Sequence, residues 1–137
     1  MADVTVKNLK EFDTAFGGGM RRVRAGLGVT SFGMQVIELP ANFSGYPEHD
    51  HNHDEQEEVY TPLKGKVNLI VEGVDHELEP GVFARVGPGQ RRKLVTAEEG
   101  CRVLAVGGVP GGVYSPPEFT EEGAGDMPKK VDAEAAL

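Results

Sequence analysis

The 137-residue chain is long enough for one domain with an apolar core that needs no disulfide bonds. Its net charge of −8, from 22 acidic and 14 basic side chains, argues against nucleic acid as a partner because phosphate would repel it. Its 19 glycines and 9 prolines argue against a mainly helical fold. One cysteine, Cys101, and the lack of any apolar stretch of about 20 residues predict a cytoplasmic protein with no membrane partner.

Residues 1–19 are predicted to form a short N-terminal arm, and residues 20–110 a β-barrel. The barrel region alternates short apolar segments with turn signals, a pattern typical of sandwiches and barrels. Pro62 lies inside one such segment and indicates an edge or a bulge there, because proline cannot donate to a ladder. The fold class is therefore predicted to be all-β, with eight strands that close a small barrel at residues 21–26, 32–39, 57–63, 66–73, 76–80, 83–86, 92–97 and 102–108.

Residues 111–137 are predicted to form an irregular C-terminal tail. The segment is rich in proline, glycine and charge and has few large apolar side chains, which is typical of a loosely attached end. The alternative is a strap, in which Val113, Tyr114 and Phe119 cross the mouth of the barrel or a neighbouring subunit.

The candidate metal ligands lie within residues 45–65. Three histidines in this segment, His49, His51 and His53, are spaced two residues apart. In an extended chain, side chains two residues apart point the same way, so two neighbouring imidazoles can converge on one metal ion. A carboxylate from the next strand would complete a site of two histidines and one carboxylate. Such a site suits Fe(II), Mn(II) or another divalent metal and leaves positions open for substrate. The glutamates at 57–58 are the candidate acids.

The spacing of this segment resembles the first conserved motif of the cupin superfamily: Gly45-x5-His51-x-His53-x4-Glu58-x6-Gly65. The register selects Glu58 rather than Glu57, and it implies that His51, His53 and Glu58 are the metal ligands. His49 falls outside the motif. We expect its side chain to face water, although it is kept as an alternative ligand.

A second segment resembles the second cupin motif, with two departures. The motif usually consists of glycine, five residues, Pro-x-Gly, two residues and a third metal-binding histidine. The aligned residues here are Gly81-x5-Gly87-Pro88-Gly89-x2-Arg92. Gly87 replaces the proline, and Arg92 replaces the histidine. Arginine stays protonated and has no lone pair, so it cannot ligate a metal.

The resemblance spans residues 30–108 and implies an antiparallel jelly-roll barrel, commonly a homodimer, with its site inside the barrel. It implies a divalent transition metal such as Fe, Mn, Ni, Zn or Cu. Tyr60 has the strand parity of Glu58 and is predicted to point into the same cavity. Either Arg92 and Tyr60 contact an anionic substrate beside the metal, or the metal has been lost and Arg92 pairs with Glu58.

Two functions follow from these alternatives, and the sequence does not decide whether the protein is an enzyme. The first is a cupin that binds a divalent metal and acts as a metal-dependent enzyme on a small anionic substrate. The alternative is a non-catalytic cupin that binds a small organic ligand without metal. A third possibility is an interaction module in which dimerisation and the tail are the important features. The barrel hosts several chemistries, so the fold does not select the reaction.

Overall fold

Two antiparallel β-sheets form the fold in the computed structural model, which describes residues 2–126. The larger sheet has the strand order β1-β2-β3-β9-β4-β7 and the smaller sheet the order β6-β5-β8. The strands are β1 (Thr14–Ala15), β2 (Met20–Arg21), β3 (Gly33–Leu39), β4 (Glu57–Gly65), β5 (Val67–Val71), β6 (Val74–Leu78), β7 (Ala84–Val86), β8 (Arg92–Val95) and β9 (Cys101–Gly108). This jelly-roll sandwich confirms the all-β prediction, although backbone pairing does not close the two sheets into a continuous barrel.

The core lies between the two sheets because their strands alternate inward and outward side chains. In β9, each residue at an odd position from Cys101 to Gly107 is buried, and each residue between them is partly exposed. Residues from both sheets meet in one cluster, which includes Ile37, Leu39, Tyr60, Leu69, Leu94 and Val103. Cys101 belongs to this cluster, as expected of a small packed residue. Within residues 2–126, no helix has the length and apolar character needed to cross a membrane.

The strand predicted at residues 21–26 is wrong. Strand β2 ends at Arg21, and the chain then forms a short helix, α1 (Val23–Leu27). Val23 packs with Phe12 and with Val36 of β3 in a second apolar cluster. Gly28 ends the helix in the left-handed conformation, with φ of 80°. The tertiary contact on Val23 therefore overrides the alternating pattern of this segment. The other seven predicted strands are confirmed, with shifts of a few residues at their ends.

Strand β4 contains the irregularity that Pro62 predicts. Its pairing with β9 shifts register between Pro62 and Lys64, and its pairing with β7 extends only from Glu58 to Tyr60. Pro62 therefore lies beyond the part of the strand that β7 covers. The bulge is confirmed and leaves the other end of β4, which carries Glu58, in regular pairing.

We expect Gly65→Ala to destabilise the fold much more than Gly73→Ala. Both glycines have left-handed backbone, with φ of 78° and 79°. A Cβ at Gly73 would meet no atom within 4 Å, whereas a Cβ at Gly65 would collide with the carbonyl oxygen of Gly100. Gly73→Ala should cost about 1 kcal/mol, and Gly65→Ala at least about 3 kcal/mol. Urea unfolding of the two variants measures the difference, and equal losses would contradict this close approach.

The C-terminal segment packs against the rest of the chain as far as Asp126. Tyr114 is buried against Gly33, and Phe119 meets Phe16 edge to face, with 5.9 Å between ring centroids. Val113, in contrast, is 90% exposed. We call residues 114–126 the strap. The rest of the predicted tail, residues 127–137, lies outside the described residues.

Arg22 holds the strap to the N-terminal arm. Its guanidinium is 1% exposed and donates to two carbonyl oxygens of the strap, those of Phe119 at 2.8 Å and Gly125 at 2.5 Å. It also donates to the carboxylate of Asp13 at 2.7 Å and to the carbonyl of Thr14 at 3.1 Å. One buried side chain therefore joins the two ends of the described chain.

Arg22→Ala should lower the free energy of unfolding by about 3 kcal/mol, because it removes several charge-assisted hydrogen bonds from a buried position. It should also speed amide hydrogen exchange in the strap, which hydrogen-exchange mass spectrometry would detect. The matched control is Arg85→Ala, which breaks the ion pair between Arg85 and Glu57. The side chain of Arg85 is 62% exposed. That variant should lose less than about 1 kcal/mol. A similar loss in both variants would argue against the role of Arg22.

Candidate metal centre

His49, His51 and Glu58 converge inside the sandwich. One potential ligand atom from each residue lies within 4.8 Å of the other two, and all three side chains are buried. No other group of this kind occurs within residues 2–126. Two imidazoles and one carboxylate are a ligand set that suits divalent transition metals.

The backbone places His49 and Arg92 side by side. The His49 N–H donates to the carbonyl of Arg92 at 3.0 Å, and the Arg92 N–H donates to the carbonyl of His49 at 2.8 Å. This antiparallel bridge adds His49 to the β8 edge of the smaller sheet. Residues paired in this way put their side chains on the same face, so both side chains enter the interior.

Glu58 reaches the site from the larger sheet, where it pairs with Gly107 on β9. A Cβ at Gly107 would lie 2.6 Å from Gln56 Oε1 and 3.3 Å from Glu58 Cγ. The absence of a side chain at Gly107 therefore makes room for two side chains of the site. The strand parity of Glu58 and Tyr60 is as predicted, and both are buried.

The structure reverses the expected positions of His49 and His53. His49 lies in the bridge to Arg92, but a turn covers residues 52–54, closed by a 2.7 Å bond from Glu55 N–H to the carbonyl of His51. The rule that alternate side chains share a face therefore fails between His51 and His53. The side chain of His53 is 42% exposed and lies 3.5 Å from Asp54. His49, which we expected to face water, is fully buried.

The two buried histidines present the same nitrogen to the site. Nδ1 of His49 lies 3.0 Å from the carbonyl oxygen of Pro47, and Nδ1 of His51 lies 2.9 Å from Asp54 Oδ1. Since these oxygens can only accept, each Nδ1 carries the hydrogen, and Nε2 of a neutral ring keeps its lone pair. Both Nε2 atoms are buried without a hydrogen-bond partner among the described residues. This arrangement is the one that metal-binding histidines usually show.

Glu58 Oε1 is the common neighbour of the polar groups in the site. The hydroxyl of Tyr60 donates to it at 2.5 Å, and Nη1 of Arg92 donates to it at 2.9 Å. Nε2 of His51 lies 3.2 Å away and Nε2 of His49 lies 4.0 Å away. The second amino group of Arg92 donates to the carbonyl of Gly87 at 2.7 Å. The predicted pairing of Arg92 with Glu58 is therefore present, and both residues predicted to contact substrate lie in the cluster.

Burial and the Glu58 charge set the protonation states of the site. Burial lowers the pKa of His49 to about 4, so its ring is neutral at pH 7. Burial opposes the charged form of His51, but the carboxylates of Glu58 and Asp54 outweigh this effect and raise its pKa. Burial, with the charge of Glu58, raises the pKa of Tyr60 well above its usual range. Tyr60 therefore remains a hydrogen-bond donor to Glu58.

Gln35 and Gln56 are two buried side chains that sequence reasoning missed. They line a cavity of about 10 Å³ with Glu58 and two residues of the strap, Tyr114 and Thr120. A space of this size holds about one water molecule or ion. Gln35 Oε1 is buried without a hydrogen-bond partner in residues 2–126, so it can accept from or ligate a bound group. The sequence signal for Gln35 is its polar side chain at a position that alternates with Ile37 and Leu39, the apolar residues on the same face of β3.

Comparison with known proteins agrees with this architecture. A cupin protein from Bacteroides fragilis has 21% identity and a TM-score of 0.65, over 84% of this chain and 92% of that one. A sugar phosphate isomerase of the cupin superfamily from Silicibacter pomeroyi has 16% identity and a TM-score of 0.64, over 82% and 77%. The polyketide cyclase RemF from Streptomyces resistomycificus has 22% identity and a TM-score of 0.62, over 75% and 78%. At these identities the likeness shows the fold alone.

The sequence itself also identifies the family. No curated protein matches the chain at a significant level. The family model for the cupin domain, however, matches residues 36–107, which is more than half of the chain and contains both motifs. The two-sheet jelly roll agrees with that match. The chain therefore belongs to the cupin family.

Proposed function

We propose that this protein is a cupin that binds one divalent transition metal ion through His49, His51 and Glu58. The observation that carries the proposal is the convergence of two buried Nε2 atoms on one oxygen of Glu58, at 3.2 Å from His51 and 4.0 Å from His49, without a well-formed hydrogen bond among the described residues. Burying polar atoms without partners costs free energy, and a metal ion would satisfy both nitrogens at once. Fe, Mn, Ni, Zn and Cu all accept this set of donors.

A metal bound by these three residues would act as a Lewis acid with coordination positions open to substrate. Arg92 sets a limit on its affinity, because its positive charge lies against the same carboxylate oxygen and repels a cation. The site should therefore bind metal more weakly than a cupin site with a third histidine. As a finer proposal, Arg92 and Tyr60 orient a small anionic substrate when they release Glu58.

Elemental analysis of the purified, untagged protein tests the metal site. We expect close to one transition metal ion per chain, lost on dialysis against a chelator and restored by reconstitution. A protein that takes up no metal after reconstitution would contradict the proposal. His76, on β6, is exposed and offers a control. His76→Ala should leave the metal content unchanged.

The second candidate is a cupin that binds a small organic ligand without metal. One observation favours it: the charge of Glu58 is already balanced by Arg92, and its oxygen already accepts from Tyr60. A buried pair with good geometry needs no metal for charge balance. Retention of an organic ligand after treatment with a chelator, together with absence of metal, would select this function.

We further propose that the protein acts as a homodimer in the cytoplasm. Leu63 and Phe83 are 51% and 72% exposed, and a 2.9 Å hydrogen bond from Thr61 Oγ1 to the Val82 carbonyl holds their segments together. An exposed apolar patch of this kind suits a contact between two copies. Light scattering should give twice the chain mass of 14.7 kDa, and Phe83→Asp should give the monomer. The free, buried thiol of Cys101 suits a reducing compartment.

A further inference from the structure

A second cavity, much larger than the one beside Glu58, lies next to the metal centre. Its volume is about 810 Å³, within the range of pockets that bind small organic molecules. We call it the chamber. His49, His51, Glu58, Tyr60 and Arg92 do not line it. Its main apolar walls are formed by Met20, Leu39, Phe43, Tyr46, Cys101 and Phe119.

The charged groups of the chamber are balanced. Glu38 and Arg102, paired on the neighbouring strands β3 and β9, form a two-pronged ion pair in its wall, with distances of 2.7 and 3.1 Å. Lys64 and Glu99, one charge of each sign, are exposed to solvent. The chamber therefore offers no unpaired buried charge to attract an ion, and a charged group placed among its apolar walls would lose hydration without compensation. This chemistry selects an uncharged occupant.

Tyr46 separates the chamber from the metal centre. It lines the chamber, and its ring lies 5.7 Å from that of His49, centroid to centroid. Its hydroxyl is buried and has no hydrogen-bond partner within residues 2–126. Burial and the charge of Glu58 raise the pKa of Tyr46 well above its usual range, which agrees with a hydroxyl near that carboxylate. The side chain of Tyr46 thus borders both the chamber and the metal centre.

We propose that the chamber binds an uncharged, largely apolar molecule with one or more rings, packed against Tyr46 beside the metal centre. The chamber would be a second ligand site, separate from the one where Arg92 and Tyr60 orient an anionic substrate. Binding to the chamber itself requires no metal. The ring of Tyr46, rather than its hydroxyl, would be the surface that such a molecule packs against.

Binding of N-phenyl-1-naphthylamine, a neutral fluorescent probe made of a naphthalene and a phenyl group, tests the chamber in the metal-free protein. We expect saturable binding of one probe per chain and weaker binding of its sulfonated analogue, 1-anilinonaphthalene-8-sulfonate. Cys101→Phe places an aromatic ring in the chamber and should weaken probe binding at least about ten-fold. Val74→Phe adds the same ring at a position on β6 that is 57% exposed, and it should leave probe binding unchanged.

A second measurement needs no variant. Cys101 is the one cysteine of the chain and lines the chamber, so bound probe should slow its reaction with methyl methanethiosulfonate. Absence of saturable binding would overturn the proposal, as would unprotected Cys101. Probe binding that dissociates a dimer would also overturn it, because a second copy would then be the occupant. Metal uptake by the same protein after reconstitution separates the two proposals, since a protein that binds the probe but takes up no metal contradicts only the proposed function.

Discussion

His49→Ala should abolish stable metal binding, whereas His53→Ala should leave it intact. His49 supplies one of the two buried imidazole nitrogens beside Glu58, and its loss leaves two ligands in a site that also holds Arg92. The loss in affinity should exceed the 100-fold or so that removal of an outer hydrogen-bond partner of a ligand can cause. Titration of the metal-free protein with Zn(II) or Co(II) by calorimetry gives both affinities.

The control for this comparison is in the same segment. His53 lies in the turn at residues 52–54 with a side chain that is 42% exposed, so its removal should change neither the fold nor the site. Circular dichroism and thermal unfolding should confirm that both variants fold. If His53→Ala loses the metal and His49→Ala keeps it, the ligand set implied by the sequence motif is right and the one proposed from the geometry is wrong.

Arg92→His should raise metal affinity at least about ten-fold and lower the stability of the metal-free protein. The substitution removes a buried positive charge from Glu58 Oε1 and adds an imidazole at the position of the third histidine of cupins. Without the permanent cation, metal-free Glu58 keeps only partial compensation in the interior. The cost should be about 3 kcal/mol, which urea unfolding with and without metal would measure.

Arg91→His is the matched control, because Arg91 precedes Arg92 in sequence but is exposed. Its ion pairs with Glu48 and Asp50, at 3.6 Å each, are made by an arginine side chain that is 44% exposed, so solvent should screen them and their contribution should be small. Metal affinity and stability should change little in this variant. Unchanged or weaker metal binding in Arg92→His would contradict the placement of Arg92 in the metal site.

Arg92 and a metal ion are therefore competitors for one carboxylate. In the metal-free site, the guanidinium neutralises Glu58 and makes a second bond to Gly87, which is the residue in place of the usual proline. A metal ion that enters the site would place its positive charge close to the fully buried guanidinium of Arg92, and the two charges would repel each other. The stability gained from metal should thus be small in the natural protein and large in Arg92→His.

The sequence by itself determined the family, most of the strands and half of the site. Short apolar segments between turn signals mark most of the strands, and strand parity with the register of the first motif brings Glu58 and Tyr60 to the interior. The second motif places Arg92 at the position of a ligand, and the bond to Glu58 follows from the need to pair a buried charge. These are local rules of period and charge, which the order of residues expresses directly.

Only the tertiary structure decided which histidines face Glu58, where the short helix lies and how the strap is held. His49 enters the site because it pairs with Arg92, 43 residues away in the chain, and His53 leaves it because a turn breaks the alternation. α1 replaces a predicted strand because Val23 packs on Phe12. Arg22 bonds to Phe119 and Gly125, about a hundred residues later. Each of these contacts joins distant segments, and their free energy exceeds the weak local preferences that a sequence pattern records.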